Sequence, residues 1–535
     1  MKILLIGINL KYIHPAIGIH QLIANSRYPV SFLEFTIKDK NETIIQAMEK
    51  EDYDLIGFSV YIWNIEKIKE IIKVYSKNTM ILLGGPEASY RPDILHFDDR
   101  VAFIIKNEGE EAFNELIEYL NNKRKLNQVS NLYYKEKEEI RYTYDCLLNL
   151  KYVKHDITLI KDYKNRNIYL EASRGCPYHC SYCLSSLDNK VRFFALDKVK
   201  SEILFTLKNK AKAVKFLDRT FNLKQEKMQE IVELIRDNDN NLTTFQFEIV
   251  GDLLDEETIK LLQTVRRGQI RFEIGIQSTN PTVTKSVNRK QDFEKLKENI
   301  LKIKNNIIVH LDLIAGLPYE DKQSFIRTFN ETFLLFPDEL QLGFLKELQG
   351  TEISLTKELH KYQFSEKPPY EIEKNKYLNK ADLDEIRIVE RMINRYFNTN
   401  SFPRTMEYLF ILKKLNPYQT FLEIGKLIES KNIKNMQPNT VALNLYEALA
   451  YLDKEELLYI IKQDYLYKPI KPMIWWERKI TREERQKVYN SFIVKYPELD
   501  IESLYRYSHL EKFKDEYCLT TYKPLARYFI KITNN

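Results

Sequence analysis

The sequence predicts an α/β protein in three parts: an amino-terminal doubly wound, Rossmann-like domain, a partial (β/α)6 TIM barrel, and a helical carboxyl-terminal domain. Three observations predict it. Strand-length apolar runs alternate with amphipathic helical stretches from Met1 to about Leu120, the same rhythm resumes from Asn167 for six more units, and it stops after Gly350. Such alternation is what a parallel sheet with crossover helices requires, and six units are too few to close an eight-stranded barrel. The parts read as residues 1–125, a connector at 126–165, 166–350 and 351–535.

In the first part the expected strands are Ile3 to Ile8, Val30 to Phe35, Leu55 to Val60, Met80 to Leu83 and Ala102 to Ile105, with helices such as Asn64 to Tyr75 and Glu110 to Tyr119 between them. Loops at the carboxyl ends of such strands form the binding crevice. The stretch Val129 to Tyr144 alternates like a hairpin and reads as a connector. Strands are then expected at Ile168 to Ala172, Ala213 to Leu217, Thr244 to Val250, Arg271 to Ile276, Ile308 to Ile314 and Glu339 to Leu345. The last part is tyrosine-rich, carries few strand signals and is punctuated into short helices by Pro368-Pro369, Pro403, Pro417 and Pro438. It shows no fixed-period repeat.

Composition narrows the class. With 44% hydrophobic and 30% charged residues the 535-residue chain reads as globular, and 82 basic against 76 acidic residues leave a net charge of +6. That near balance indicates no specific nucleic-acid partner. The apolar opening Met1 to Leu10 reads as a buried strand, not a signal peptide, because Lys11, Tyr12 and His14 end it with no small-residue cleavage site. No stretch approaches ~18 uninterrupted apolar residues, so no membrane span is expected. Cys146 and Cys518 lie far apart in sequence and suggest no disulfide framework, which fits a reduced cytoplasm.

Three of the five cysteines, Cys176, Cys180 and Cys183, share the run Ser173-Arg-Gly-Cys-Pro-Tyr-His-Cys-Ser-Tyr-Cys183. Three thiolates on one short loop can hold three irons of a four-iron cluster and leave the fourth open to a substrate. A tetrahedral zinc would have to borrow His179 or a distant residue, and no second ligand pair is visible. The Cys-x3-Cys-x2-Cys spacing resembles the signature of radical S-adenosylmethionine (SAM) enzymes. That resemblance implies a [4Fe-4S] cluster whose open iron chelates SAM, and reductive cleavage of SAM to a 5′-deoxyadenosyl radical. It also implies an external electron donor such as flavodoxin or ferredoxin.

The first part resembles the cobalamin-binding domain that precedes the barrel in one large subclass of that superfamily. The residues behind this are Gly57-Phe-Ser-Val-Tyr-Ile-Trp63, Leu83-Gly-Gly-Pro-Glu-Ala-Ser89 and Asn107-Glu-Gly-Glu-Glu111, each at a strand carboxyl end. The resemblance implies cobalamin contacts from Ser59, Tyr61, Trp63, Gly84, Gly85, Pro86, Glu108, Gly109 and Glu110. Glycines there let backbone approach a ligand. A nicotinamide site is disfavoured because Ile6-Gly-Ile-Asn-Leu-Lys-Tyr lacks Gly-x-Gly-x-x-Gly. Many cobalamin proteins place a cobalt-ligating histidine in Asp-x-His-x-x-Gly after the first strand. Here Asn9-Leu-Lys-Tyr-Ile-His14-Pro-Ala-Ile-Gly18 departs from it, so a cobalt without a histidine from this loop is expected.

The barrel segments extend the resemblance. Phe216-Leu-Asp-Arg-Thr-Phe-Asn222 resembles the Phe-x-Asp-Asp-x-Phe of cobalamin-dependent members and implies that Asp218 and Arg219 meet the methionine part of SAM. Glu248, Glu273 and Gln277 stand on otherwise apolar strands and would need partners when buried, such as ribose hydroxyls or an ammonium. Gly275-Ile-Gln-Ser278 resembles the family's fourth-strand motif, which implies that Gln277 and Ser278 lie near the ribose and carboxylate of SAM. His310-Leu-Asp-Leu-Ile-Ala-Gly-Leu-Pro318 is similar to the segment lining the adenine pocket, with His310 and Asp312 on one face. Tyr182 matches an aromatic that supports the adenine.

The function this implies is a cobalamin-dependent methyltransferase acting on an unactivated carbon, through the deoxyadenosyl radical and methylcobalamin, on a small molecule or peptide. Two alternatives stand beside it: a non-methylating cyclisation or rearrangement by the same radical, and a non-catalytic cobalamin carrier or sensor. Methylthiotransferases are set aside because this chain has no cysteine before Cys146.

Overall fold

The computed structural model describes residues 1–432, 437–477 and 480–531. They form two compact units: Met1–Glu320 with Gly343–Asn379, and Asp321–Leu342 with Lys380–Asn535.

The first unit opens with a sheet of strands β1 (Ile3–Asn9), β2 (Ser31–Thr36), β3 (Leu55–Ser59), β4 (Met80–Gly84), β5 (Val101–Ile105), β6 (Leu132–Glu136) and β7 (Glu139–Tyr142), in the order β2-β1-β3-β4-β5-β6-β7. Strands β1 to β5 are parallel. Every residue of β1 is buried, as an unbroken apolar run demands when helices cover both faces of a sheet. On one face Ile44, Met48, Ile65, Ile68 and Ile72 pack from two helices, and on the other Ile19, Phe113 and Leu116 do so from Ile17–Asn25 and Glu110–Leu120. Strand order reverses between β1 and β3, and in open α/β sheets that switch point is where a ligand-binding crevice opens.

One expectation needs correcting here. The hairpin between residues 126 and 165 is part of the sheet, since β6 pairs antiparallel with β5, Leu132 opposite Ile105, and β7 pairs with β6. Its alternating sequence shows a hairpin but not the edge it joins.

The second sheet runs β15-β14-β13-β12-β11-β8, with β8 (Ile168–Leu170), β11 (Ala213–Phe216), β12 (Thr244–Ile249), β13 (Ile270–Gln277), β14 (Ile308–Ala315) and β15 (Glu339–Phe344). Between the first two of these strands lies the short antiparallel pair β9 (Ser173–Arg174) and β10 (Arg192–Phe193). The sequential order is that of the expected six-unit partial barrel. Along β12 and β13 buried residues alternate with half-buried ones. Phe245, Phe247, Phe272 and Ile274 are sealed in the core, while Gln246, Glu248, Arg271 and Glu273 share the opposite face. Helices Glu256–Leu262 and Phe293–Ile303 start where Asp255 and Asp292 cap them, each carboxylate accepting a backbone N–H of the first turn. The short strands β16 (Gln363–Phe364) and β17 (Ile372–Lys374) close the unit.

The second unit is mostly helical, with the longest helices at Lys380–Tyr396, Pro417–Ser430, Lys454–Leu466 and Arg482–Lys495. Its phenylalanines build a core in which Phe333 packs on Phe397, Phe410 and Phe421. The helical domain expected from sequence, where few strand signals are visible, also carries an antiparallel meander of β18 (Ser508–Phe513), β19 (Glu516–Tyr522) and β20 (Leu525–Lys531). Charged residues on both faces of β18 hide the period of two that marks a strand. No helix among the described residues is long and apolar enough to cross a membrane.

Candidate functional site

The cysteine loop is held at both ends. The β9–β10 pair brackets it, the Cys176 N–H donates to the Asp188 carbonyl at 2.9 Å, and the Cys183 N–H donates to the Cys180 carbonyl at 3.1 Å. Gly175 enters it at φ +89°, where any Cβ would stand 2.5 Å from the Lys190 carbonyl oxygen, so only glycine fits. The Cys176 and Cys180 thiols are buried, Cys183 is half-buried, and none is in a disulfide. Two guanidinium groups flank them. The charge of Arg219 acts on Cys183 and Cys176, and Arg289 reaches Cys180 and, at 3.5 Å, the Tyr182 hydroxyl. Burial pushes the Cys180 thiol up, and Arg289 opposes that by favouring the thiolate. Among the described residues no three His, Cys, Asp or Glu groups converge as they would on a single ion. Soft thiolates on one loop, backed by fixed positive charge, fit a cluster in which each holds a different iron.

Next to this loop lies a cavity of about 830 Å³. Its first wall is the crevice of the doubly wound sheet: Ser59 and Tyr61 at the end of β3, Gly84, Gly85 and Pro86 at the end of β4, and Glu108, Gly109 and Glu110 after β5. Gly85 sits at φ +104°, with Val60 backbone where a Cβ would go, so only glycine lets the loop after β4 pack this closely on the end of β3. The opposite wall comes from the cysteine loop and barrel, with Arg174, Leu184, Leu187, Lys190, Leu217 and Arg219. Both walls belong to the first unit.

Arg174 joins them. Its guanidinium meets Glu108 at 3.1 Å, Glu110 at 2.7 Å and Glu171 at 2.8 Å. Glu108 also takes Arg192 at 2.9 Å and the Leu148 N–H at 2.8 Å. Although burial works against its charge, these partners hold its carboxyl below the usual range. Glu108 and Glu110, expected as cobalamin contacts, thus spend their charge on the wall itself. Trp63 lies outside the lining, half exposed and stacked on Tyr61 with centroids 4.3 Å apart. His14 is outside it as well, its Nδ1 sharing a hydrogen bond of 2.7 Å with the Tyr169 hydroxyl.

On the barrel's inner face the structure brings together five residues singled out from sequence. Glu248 pairs with Arg219 at 3.1 Å, His310 lies 3.0 Å from Asp312 and 3.6 Å from Glu273. Burial raises the Glu248 carboxyl, Arg219 opposes it, and the nearby charges of Glu273 and Asp312 raise it further. Gln277, at φ +66° on a bulge of β13, points a buried Oε1 that has no hydrogen-bond partner. An unpartnered acceptor beside half-buried carboxylates fits a ligand rich in ammonium and hydroxyl donors.

Asp218 and Ser278 behave differently from expectation. Asp218 is buried and turned onto its neighbours, accepting the Ala172 N–H at 2.8 Å and the Ser173 hydroxyl at 2.5 Å. Burial pushes its carboxyl up to about 7, against those hydrogen bonds. Ser278 is fully buried and donates to Glu320 at 2.5 Å. Arg174 and Arg289 were missed. Arg174 was visible inside the cysteine motif, but nothing in Asn288-Arg-Lys290 separates Arg289 from any loop arginine.

A doubly wound domain and a thiolate-bearing partial barrel facing one cavity define a two-cofactor α/β protein. Residues 3–117 match the B12 binding domain, residues 170–332 the radical SAM superfamily, and residues 358–525 a protein of unknown function, DUF4080. The chain is 22% identical over 329 residues to the "uncharacterized methyltransferase PH0819" of Pyrococcus horikoshii, spanning 58% of this chain and 70% of that one. It is 25% identical over 285 residues to the anaerobic magnesium-protoporphyrin IX monomethyl ester cyclase of Synechocystis sp., covering 49% of this chain and 55% of the cyclase. In fold it resembles the cobalamin-dependent S-adenosylmethionine radical enzyme OxsB, with a TM-score of 0.58 at 15% identity over 93% of this chain and 82% of that one. The protein is a cobalamin-dependent radical SAM enzyme, and its cofactors are a [4Fe-4S] cluster, SAM and cobalamin.

Proposed function

We propose that the enzyme is a methyltransferase that acts on an unactivated carbon of a small molecule or peptide. The observation that carries this reading is the single cavity walled by the glycine loops of the doubly wound domain on one side and by the cysteine loop and Arg219 on the other. Methyl transfer between two cofactors requires that one substrate carbon reach both. When bound, the cluster with SAM supplies a carbon-centred radical, and cobalamin supplies a transferable methyl group.

The chain's own part is holding and exclusion. Cys176, Cys180 and Cys183 would hold the cluster, with Arg219 and Arg289 balancing its negative charge. Glu248, Glu273, Gln277, His310 and Asp312 would bind the amino group and hydroxyls of SAM. Gly84, Gly85 and Gly109 would give the corrin backbone to lie against, and Leu147, Leu184, Leu187 and Leu217 would form apolar wall that keeps water from a reactive carbon. In this reading His14 would serve as a loop residue and not as a cobalt ligand, its Nδ1 sharing a hydrogen bond with the Tyr169 hydroxyl. An external donor such as flavodoxin or ferredoxin delivers the electron, in a reducing cytoplasm that keeps the thiols free.

Anaerobic reconstitution with iron, sulfide and hydroxocobalamin, followed by SAM and a reductant, tests this reading. Formation of both deoxyadenosine and S-adenosylhomocysteine supports methyl transfer. Deoxyadenosine without S-adenosylhomocysteine, in the presence of a substrate consumed, overturns it in favour of a ring closure or rearrangement, the reading that similarity to the cyclase favours.

A further inference from the structure

We propose that the second unit carries a binding site of its own for the phosphate group of a small molecule, in a cavity of about 560 Å³ bounded by Arg404, Lys468 and Arg527. The remaining lining includes Asp464, Tyr467 and Phe529.

The charges in this cavity do not balance. Asp464 is its one carboxylate, and both of its oxygens are already engaged: one accepts the Arg404 N–H at 3.3 Å, the other the Thr405 N–H and hydroxyl at 2.8 Å each. The Arg527 guanidinium has neither an ion pair nor a hydrogen bond among the described residues, and its Nε is fully buried. It rests on the Tyr467 ring at 4.3 Å, a contact that fixes the plane of the group without using its N–H donors. Arg404 lies over Phe529 at 5.5 Å and gives one N–H to Gln463 at 3.0 Å. Lys468 reaches only the Ser401 carbonyl, at 3.4 Å.

Three cations gathered around one committed carboxylate repel each other, and burial together with Arg404 lowers the affinity of Arg527 for its own proton. A fold tolerates such a conflict where a ligand resolves it. A phosphate monoester, with two charges and oxygens that match a guanidinium fork, neutralises the excess, whereas one carboxylate leaves a cation over. The aromatic faces and the volume leave room for the organic part of a small phosphate ester.

Titration calorimetry on the full-length reconstituted enzyme, at fixed ionic strength in phosphate-free buffer, tests the site with inorganic phosphate, ribose 5-phosphate and succinate as probes. Saturable binding of both phosphates is expected, weakened at least tenfold by Arg527→Gln and by Arg404→Gln, with succinate weaker than either. Arg404 is exposed, so Arg404→Gln decides the matter if Arg527→Gln fails to fold. Absence of saturable phosphate binding, binding undiminished in Arg404→Gln, or succinate binding more tightly than phosphate each overturns the proposal.

Discussion

Arg174 shows how much one side chain can carry. It holds three carboxylates, Glu108, Glu110 and Glu171, and stands two residues from the first cysteine of the loop. Arg174→Met would leave those charges buried against each other, and breaking a buried pair from one side costs about 3–5 kcal/mol. Urea unfolding should show a loss of that size together with loss of bound cobalamin. His155 gives a pH test. Burial opposes its charge, but hydrogen bonds with Glu171 and Glu202 outweigh that and raise its pKa. Its contribution to stability is therefore complete below its ordinary value near 6.5 and is lost as pH rises through the raised value. The melting-temperature gap between wild type and His155→Gln should be widest near pH 6 and close toward alkaline pH; a gap constant with pH would refute it. Glu171 runs the other way. Burial is outweighed by Arg174 and His155, its carboxyl is held down at about 2, and its contribution is lost only as pH falls from about 4.5 toward that value.

At the scale of elements, the strand ends do the positioning. Gly85→Ala places a Cβ on the Val60 backbone at a positive φ and should cost about 1–3 kcal/mol. Cobalamin affinity, measured by equilibrium dialysis, should fall with it while iron content stays unchanged. Replacing Cys176, Cys180 and Cys183 together by alanine should abolish iron binding and deoxyadenosine formation; retained activity would move the cluster elsewhere. These elements were largely legible from sequence. Strands β1, β3, β4 and β5 follow from apolar runs, β2 from a run interrupted by Glu34, β12 and β13 from their period of two, and the cysteine spacing marks its loop. What stayed hidden were destinations of charged groups. Glu108 and Asp218 read as ligand contacts, and only the fold shows that Arg192 and Ser173 already occupy them. The meander β18 to β20 escaped because its strands lack a clean apolar face in sequence.

On the scale of the whole molecule, the segment Asp321–Leu342 packs with the second unit although the residues on either side of it belong to the first. The helix Lys322–Phe333 within it buries Phe329 and Phe333 against Tyr418, Phe397, Phe410 and Phe421. A chain ending at residue 379 therefore loses the partners of two fully buried rings, each worth about 3–5 kcal/mol when its packing is removed. Such a truncation should aggregate on expression, and size-exclusion chromatography would reveal it. A stable, monomeric 1–379 fragment would disprove the dependence.

That crossing of the chain between units also orders events during synthesis. Domains tend to fold as they leave the ribosome, amino terminus first, at about 5–20 residues per second. The doubly wound sheet has all its residues early, but the helix between β14 and β15 waits for partners encoded some way downstream. The thiol loop is thus translated well before the segment that follows β14 has anything to pack on, so the core of the second unit is the last to be completed.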